Sequence, residues 1–133
     1  MNIGVLLLAI VLSTPATAAG NDGLLLFYCV HAERSCKETP RDVPVSGDNA
    51  MDVARRALVA KDDFVGFTDA HDTTLQFYVE APDSILVDMP IPRMKGSYSA
   101  HIDRARALKL IARLSPPLSR YRTTLMLKFA RWQ

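Results

Sequence analysis

The sequence predicts an α+β protein, with an antiparallel sheet of four or five strands and two helices on one face. Strand-like apolar runs and alternations, two stretches of helical periodicity and turn-forming residues between them lead to this prediction. The expected element order is β-α-(β)-β-β-α-β, where the bracketed strand is optional. Without that strand, the order matches a ferredoxin-like arrangement. Such a fold hosts many unrelated functions, so it assigns none.

The first half of the domain is predicted to hold a buried strand and an amphipathic helix. Residues 24–31 (LLLFYCVH) are apolar on both faces, which indicates a strand covered on both sides. Apolar residues then recur at helical spacing over residues 48–60, and segment 46–48 (SGD) offers N-cap chemistry for this helix. Residues 64–68 (FVGFT) are the optional strand.

A β-hairpin is expected in the middle of the chain. Apolar and polar residues alternate over residues 73–89, on both sides of a turn at 81–84 (APDS). The Pro-Ile-Pro segment 90–92 is expected to end the second strand, because proline cannot donate into a ladder.

A second helix and a last strand complete the prediction. The helix is expected from about residue 100 to 114, with Ser97 or Ser99 as its cap and the Pro-Pro pair 116–117 as its stop. Residues 123–132 (TTLMLKFARW) alternate again, which predicts a strand. The side chains expected to face the core from this strand are Leu125, Leu127 and Phe129.

The N-terminal segment has the features of a secretory signal peptide. Residues 3–12 (IGVLLLAIVL) are an apolar run, and a helix-breaking segment and a small-residue cleavage site follow. We therefore assign residues 1–19 to a signal peptide and residues 20–133 to one globular domain that is periplasmic or secreted. The first residues contain no Lys or Arg, so an uncleaved anchor is the alternative. The run is, however, shorter than the roughly 20 residues that a spanning helix needs.

Cys29 and Cys36 are the two cysteines of the chain. In an exported protein, an even count at close spacing predicts a disulfide, and a pair of buried free thiols is the alternative. The spacing is C-x6-C rather than the C-x-x-C of redox sites, which argues against redox chemistry.

Charge is unevenly distributed along a chain whose net charge is only +2. Residues 1–88 hold six basic and thirteen acidic side chains, whereas residues 89–133 hold ten basic and one acidic. Arg106, Lys109 and Arg113 fall on one stripe of the predicted second helix. Further basic residues flank this helix and are expected to extend the stripe into a cationic patch if they reach the same surface. They are Arg93 and Lys95 before the helix, and Arg120 and Arg122 after it. The patch is either a solvated face, a match for the acidic half of the chain, or a docking surface.

The chain has no evident catalytic set, which favours a binding protein over an enzyme. It contains neither a G-x-S-x-G elbow nor a glycine-rich phosphate loop, and we expect no catalytic residue, metal or cofactor. The leading hypothesis is an inhibitor or immunity-type protein that blocks an envelope or secreted protein with an acidic surface. The cationic patch would bind that partner, and His31 between the cysteines is a further candidate contact. Nucleic acid is not expected as a partner, and a membrane surface is less favoured.

Two other classes stay open. The loop that contains Asp69, His71 and Asp72 places two carboxylates beside an imidazole, as a small envelope enzyme or a metal-binding protein would require. A structural or assembly subunit would associate through residues 123–132 if that strand lies at a sheet edge. The sequence does not indicate the oligomeric state.

Overall fold

A computed structural model of the chain describes residues 23–38, 45 and 47–133. The described part folds around one sheet and three helices, so the α+β class is confirmed, although four or five strands and two helices were too few. The strands are β1 (Leu25–Val30), β2 (Ser35–Glu38), β3 (Phe64–Thr68), β4 (Thr74–Ala81), β5 (Ser84–Ile91), β6 (Gly96–Ile102) and β7 (Lys128–Arg131). The helices are α1 (Gly47–Ala57), α2 (Arg104–Ala112) and α3 (Tyr121–Thr124).

The sheet is antiparallel throughout, in the spatial order β2-β1-β3-β4-β5-β6-β7. From β3 onward, strands that follow each other along the chain also lie beside each other. A ferredoxin-like sheet instead interleaves strands from two βαβ units, so this arrangement was wrong. The optional strand at residues 64–68 is β3, close to the centre of the sheet.

The helices α1 and α2 pack against each other and cover one face of the sheet. Helix α1 contacts β1 and β3, and α2 contacts β5. Strand residues alternate between this covered face and an uncovered one, as the pleat requires. The largest strand side chains buried under the helices are Leu26, Val65, Phe67, Leu75, Phe77, Ile85 and Met89. Among the described residues, no helix is long and apolar enough to cross a lipid bilayer.

The uncovered face contains a close approach between two neighbouring strands. Phe27 of β1 lies directly opposite Gly66 of β3. The Phe27 ring lies across the glycine, so that a Cβ atom at position 66 would be 2.1 Å from its Cζ atom. Phe64 packs its ring edge-on against Phe27, with 6.2 Å between the ring centroids. Only glycine leaves room for the ring in this position.

Helix α1 begins at Gly47 and ends at Ala57, within a residue of the predicted start and before the predicted end. The proposed signal peptide, residues 1–19, and the predicted cap residue Ser46 lie outside the described residues. Strand β5 continues through Pro90 to Ile91, beyond the predicted stop. Its pairing with β4 begins only at Asp88, so Pro90 lies beside β6 alone and interrupts no ladder with β4.

Residues 96–102 form strand β6 rather than the beginning of a helix. The helix starts at Arg104, because Asp103 is its N-cap and accepts a hydrogen bond from the Arg106 backbone N–H at 2.7 Å. The expected caps Ser97 and Ser99 are therefore strand residues, and the predicted start of this helix was wrong.

The predicted last strand is also shorter than expected. Residues 121–124 form the single-turn helix α3, and only Lys128–Arg131 pair with β6. Leu127 is buried as expected, whereas Leu125 and Phe129 are half-buried. Strand β7 lies at one edge of the sheet.

Candidate functional site

The two cysteines form the expected disulfide. Cys29 of β1 lies opposite Cys36 of β2, and their sulfur atoms are 2.03 Å apart. The bond joins the two strands of a hairpin whose connection carries His31. A disulfide is compatible with an extracellular or periplasmic protein.

His31 is held in place by a buried carboxylate. Its backbone N–H and its Nδ1 atom both lie 2.9 Å from Oδ1 of Asp63, whose side chain is only 1% exposed. The other oxygen of Asp63 accepts the Ala60 N–H at 3.2 Å. The carboxylate oxygen accepts hydrogen bonds, so Nδ1 is the donor of this one. The ring is 56% exposed and is thus displayed in a fixed orientation.

The carboxylate of Asp69 is occupied by backbone groups. Its Oδ1 atom accepts the N–H groups of His71 and Thr73 at 3.0 Å each, and Oδ2 accepts the N–H of Leu118 at 2.8 Å. Asp69 is 5% exposed, so these bonds are shielded from water. Within the described ranges, no three His, Cys, Asp or Glu side chains come together as metal ligands do. The geometry therefore gives Asp69 a structural role, which joins its loop to the segment after α2.

Among the described residues, no acidic side chain forms an ion pair with the basic stripe on α2. Three acidic residues of the other half have partners elsewhere: Asp63 contacts His31, Asp69 accepts from backbone N–H groups, and Asp62 accepts from the Tyr78 hydroxyl. Asp72 is exposed and forms none of these ion pairs. The hydrogen bond to Asp62 raises the pKa of Tyr78. None of the ion pairs among the described residues includes a cation of the stripe.

A groove beside α2 is lined by both charged and apolar side chains. We call it the α2 groove. Its charged lining consists of the exposed side chains of Arg106, Lys109 and Arg113, whose spacing predicted this common face. Its apolar lining, which we call the floor, consists of Leu110, Ala112 and Leu125.

Arg93 and Lys95 line a different depression, which we call the tip pocket. It lies between the β5–β6 connection and the end of β7, and its other lining residues are Met94, Phe129, Arg131 and Trp132. The two depressions share no lining residue. The five predicted partner-binding cations are thus divided between two sites.

Three further cations of the basic half have structural partners. Arg104 donates to the carbonyl oxygens of Leu58 and Arg55 at 2.8 and 3.2 Å, which ties α2 to the end of α1. Arg120 donates to backbone carbonyls in the segment after α2. The guanidinium of Arg122 lies over the Tyr98 ring, 4.6 Å from its centroid. These roles involve contacts that spacing along the chain does not reveal.

Asp88 is a half-buried carboxylate on the uncovered face of the sheet. Burial raises its pKa, and hydrogen bonds from Gln76 and Ser97 oppose that rise. The Gln76 amide donates to it at 3.0 Å. When folding raises the pKa of an acid, the protonated form of that acid favours the folded state more than the ionised form does. This contribution is complete below the unfolded pKa and is lost as the pH rises through the folded pKa.

We therefore expect Asp88→Asn to raise the free energy of unfolding near neutral pH, because the amide mimics the protonated acid and can still accept from Gln76. The gain over the unmodified protein should shrink as the pH falls below the usual carboxyl range. Urea denaturation from about pH 3 to pH 8 measures both effects. Asp72→Asn removes the same charge from an exposed position and should show no such pH-dependent gain. A gain in Asp88→Asn that does not vary with pH would contradict the role of burial.

Comparison of the chain with protein-family models, curated proteins and solved structures found no match. The function therefore has to be inferred from the site itself. The candidate binding features among the described residues are the α2 groove, the tip pocket and the exposed imidazole of His31.

Proposed function

We propose that this protein is a small exported binding protein of the inhibitor or immunity type. It docks through the α2 groove onto an acidic segment of an envelope or secreted protein. The observation that carries the proposal is a row of three exposed cations with no acidic partner among the described residues, beside an apolar floor.

The row is electrostatically unfavourable in the isolated protein. Lys109 is three residues from Arg106 and four from Arg113, and each like-charge pair at such a spacing costs about 0.2–0.5 kcal/mol. Arg106 also lies in the first turn of α2, which holds no acidic residue and where the helix dipole disfavours a cation. A bound anionic segment would reduce both the repulsion within the row and the unfavourable interaction of Arg106 with the helix dipole. Its binding free energy is therefore more favourable at this row than at an ordinary solvated helix face.

The floor of the groove supplies the apolar component of binding. Leu110 and Leu125 are half-buried and Ala112 is exposed, so a partner would remove apolar surface from water there. A protein–protein interface combines apolar contact with charged groups. The charges of the row then govern the rate of association and partner choice. The groove therefore fits an acidic segment that also presents apolar side chains.

The disulfide and the N-terminal sequence both support export to an oxidising compartment. A bond between Cys29 and Cys36 persists in oxidising surroundings, and the apolar segment of residues 3–12 would direct the chain there. An acidic protein of that compartment is the partner we infer.

The test compares two charge-reversed variants in binding to the purified partner. The partner is obtained by cross-linking from an exported, tagged protein, with a photoreactive residue at Ala112. The groove variant is Arg106→Glu, Lys109→Glu and Arg113→Glu. The matched control reverses the tip pocket by Arg93→Glu, Lys95→Glu and Arg131→Glu. We expect the groove variant to bind about a hundredfold more weakly or worse in calorimetry, because each reversal turns attraction into repulsion.

The control separates docking from general attraction, since both variants change the net charge equally. Little loss of affinity in the tip variant, with the large loss in the groove variant, supports the α2 groove. Equal losses in both would show attraction to overall charge only and contradict the proposal, as would unchanged affinity in the groove variant. Replacing Leu125 by Ser, which leaves the charges intact, should also weaken binding through the floor.

A further inference from the structure

The tip pocket is built from two chain segments that are locked together. The Trp132 backbone N–H donates to the Lys95 carbonyl at 2.8 Å, and the indole Nε1–H donates to the Ser97 hydroxyl at 2.9 Å. The first bond fixes the backbone of Trp132 and the second fixes its indole, which remains 50% exposed. A tryptophan fixed in this way presents a flat apolar surface whose shape exists before any ligand arrives.

Part of the apolar lining of the tip pocket depends on a glycine. Phe129 extends across Gly96 so closely that a Cβ atom at position 96 would lie 2.5 Å from its Cζ atom. The ring also packs against Tyr98, with 5.2 Å between their centroids. Met94, which is 43% exposed, completes the apolar lining.

Three cations surround this apolar surface without an anionic partner among the described residues. Arg93, Lys95 and Arg131 are exposed, and none of their side chains takes part in an ion pair or hydrogen bond within the described part of the chain. Holding three like charges around one pocket is unfavourable, and an anion placed between them would be stabilised by all three. Arginines also offer paired donors that suit a phosphate or a carboxylate.

We propose that the tip pocket binds an anionic saccharide. Its phosphate or carboxylate group contacts Arg93, Lys95 and Arg131, and its ring lies on the indole of Trp132. A pyranose ring has an apolar C–H face bordered by hydroxyl groups, which fits an aromatic plane beside polar donors. A membrane surface fits less well, because insertion requires freely protruding apolar side chains, whereas this indole is hydrogen-bonded to Ser97 and its backbone is hydrogen-bonded to Lys95. The site is separate from the α2 groove, so it stands or falls independently of the proposed function.

The chain contains a single tryptophan, so its fluorescence reports on this pocket alone. The purified protein is titrated with glucose 6-phosphate and glucuronate, and with glucose and inorganic phosphate as the two separate halves of the ligand. We expect a saturable change in Trp132 fluorescence with the two anionic sugars, and affinities about tenfold or more above those for either half. The binding should weaken as the salt concentration rises.

Two double variants test the residues. Arg93→Gln with Arg131→Gln should weaken the binding of anionic sugars about tenfold or more, because charge-assisted hydrogen bonds are lost. Arg106→Gln with Arg113→Gln removes the same charge from the α2 groove and should leave the binding unchanged. Calorimetry of Trp132→Phe, which keeps an aromatic ring, should show weakened but measurable binding.

Several results would overturn the proposal. Absence of any response in fluorescence and calorimetry would do so, and so would equal weakening in the two double variants. If inorganic phosphate binds as tightly as glucose 6-phosphate, the pocket takes an anion without recognising a sugar. Binding to phosphatidylglycerol vesicles without any response to the sugars would assign the pocket to a membrane surface instead.

Discussion

Replacement of Asp69 by alanine is expected to lower the free energy of unfolding by about 3–5 kcal/mol. The carboxylate accepts three backbone N–H groups and is 5% exposed. Alanine would leave all three donors without a partner in a region that water scarcely reaches, and each such donor costs about 1–3 kcal/mol. Chemical denaturation monitored by circular dichroism measures the loss.

Two further variants locate the effect. His71→Ala removes the exposed imidazole next to the same loop and should change stability by less than about 0.5 kcal/mol. Asp69→Asn retains one carbonyl oxygen but turns an amide NH2 toward a backbone donor, so its loss should be intermediate. If Asp69→Ala were fully stable while metal binding or an activity disappeared, the loop would be a functional site and the structural role would be wrong.

Replacement of Gly66 by alanine should lower the free energy of unfolding by about 2–3 kcal/mol. The new methyl group would lie 2.1 Å from the Phe27 ring, so the ring has to leave its position across β3. That ring also packs against Phe64, and its displacement therefore disturbs a second contact on the uncovered face. Urea denaturation gives the size of the loss.

A double-mutant cycle isolates this clash. In a Phe27→Ala background the ring is absent, so adding Gly66→Ala should be neutral or slightly stabilising, because alanine is favoured over glycine inside a strand. Additive losses would show that Gly66 is needed for some reason other than the ring, and they would contradict the close approach.

The alternation of apolar and polar residues was sufficient to predict the strands that carry large apolar side chains on one face. It was not sufficient to predict the other elements. Strand β4 was predicted within a residue because Leu75, Phe77 and Val79 alternate with polar residues. Strand β6 has the same period at Tyr98, Ala100 and Ile102, but its small residues suit either structure. The predicted helix began at about residue 100, so it included the last residues of this strand. Its pairing on both sides with β5 and β7 determines its conformation, and that pairing is not local.

The same limit applies to the candidate sites. The common face of Arg106, Lys109 and Arg113 follows from helical spacing, which holds wherever the helix packs. The neighbours of Arg93 and Lys95 depend instead on the register between β6 and β7, which brings residues 131 and 132 to the β5–β6 connection. The structural role of Asp69 could not be predicted from the sequence either, because one of its hydrogen-bond donors, Leu118, is 49 residues away along the chain.

The position of β7 at the edge of the sheet affects whether two copies of the chain can pair through this strand. An unpaired edge strand invites another strand to add to it. If two copies paired antiparallel through β7 so that all four residues matched, Lys128 would lie opposite Arg131 twice, and opposed like charges destabilise such pairs. Self-addition is therefore penalised, whereas a strand bearing carboxylates at those positions is not. The two basic residues of β7 thus act against association of copies through this edge at high protein concentration.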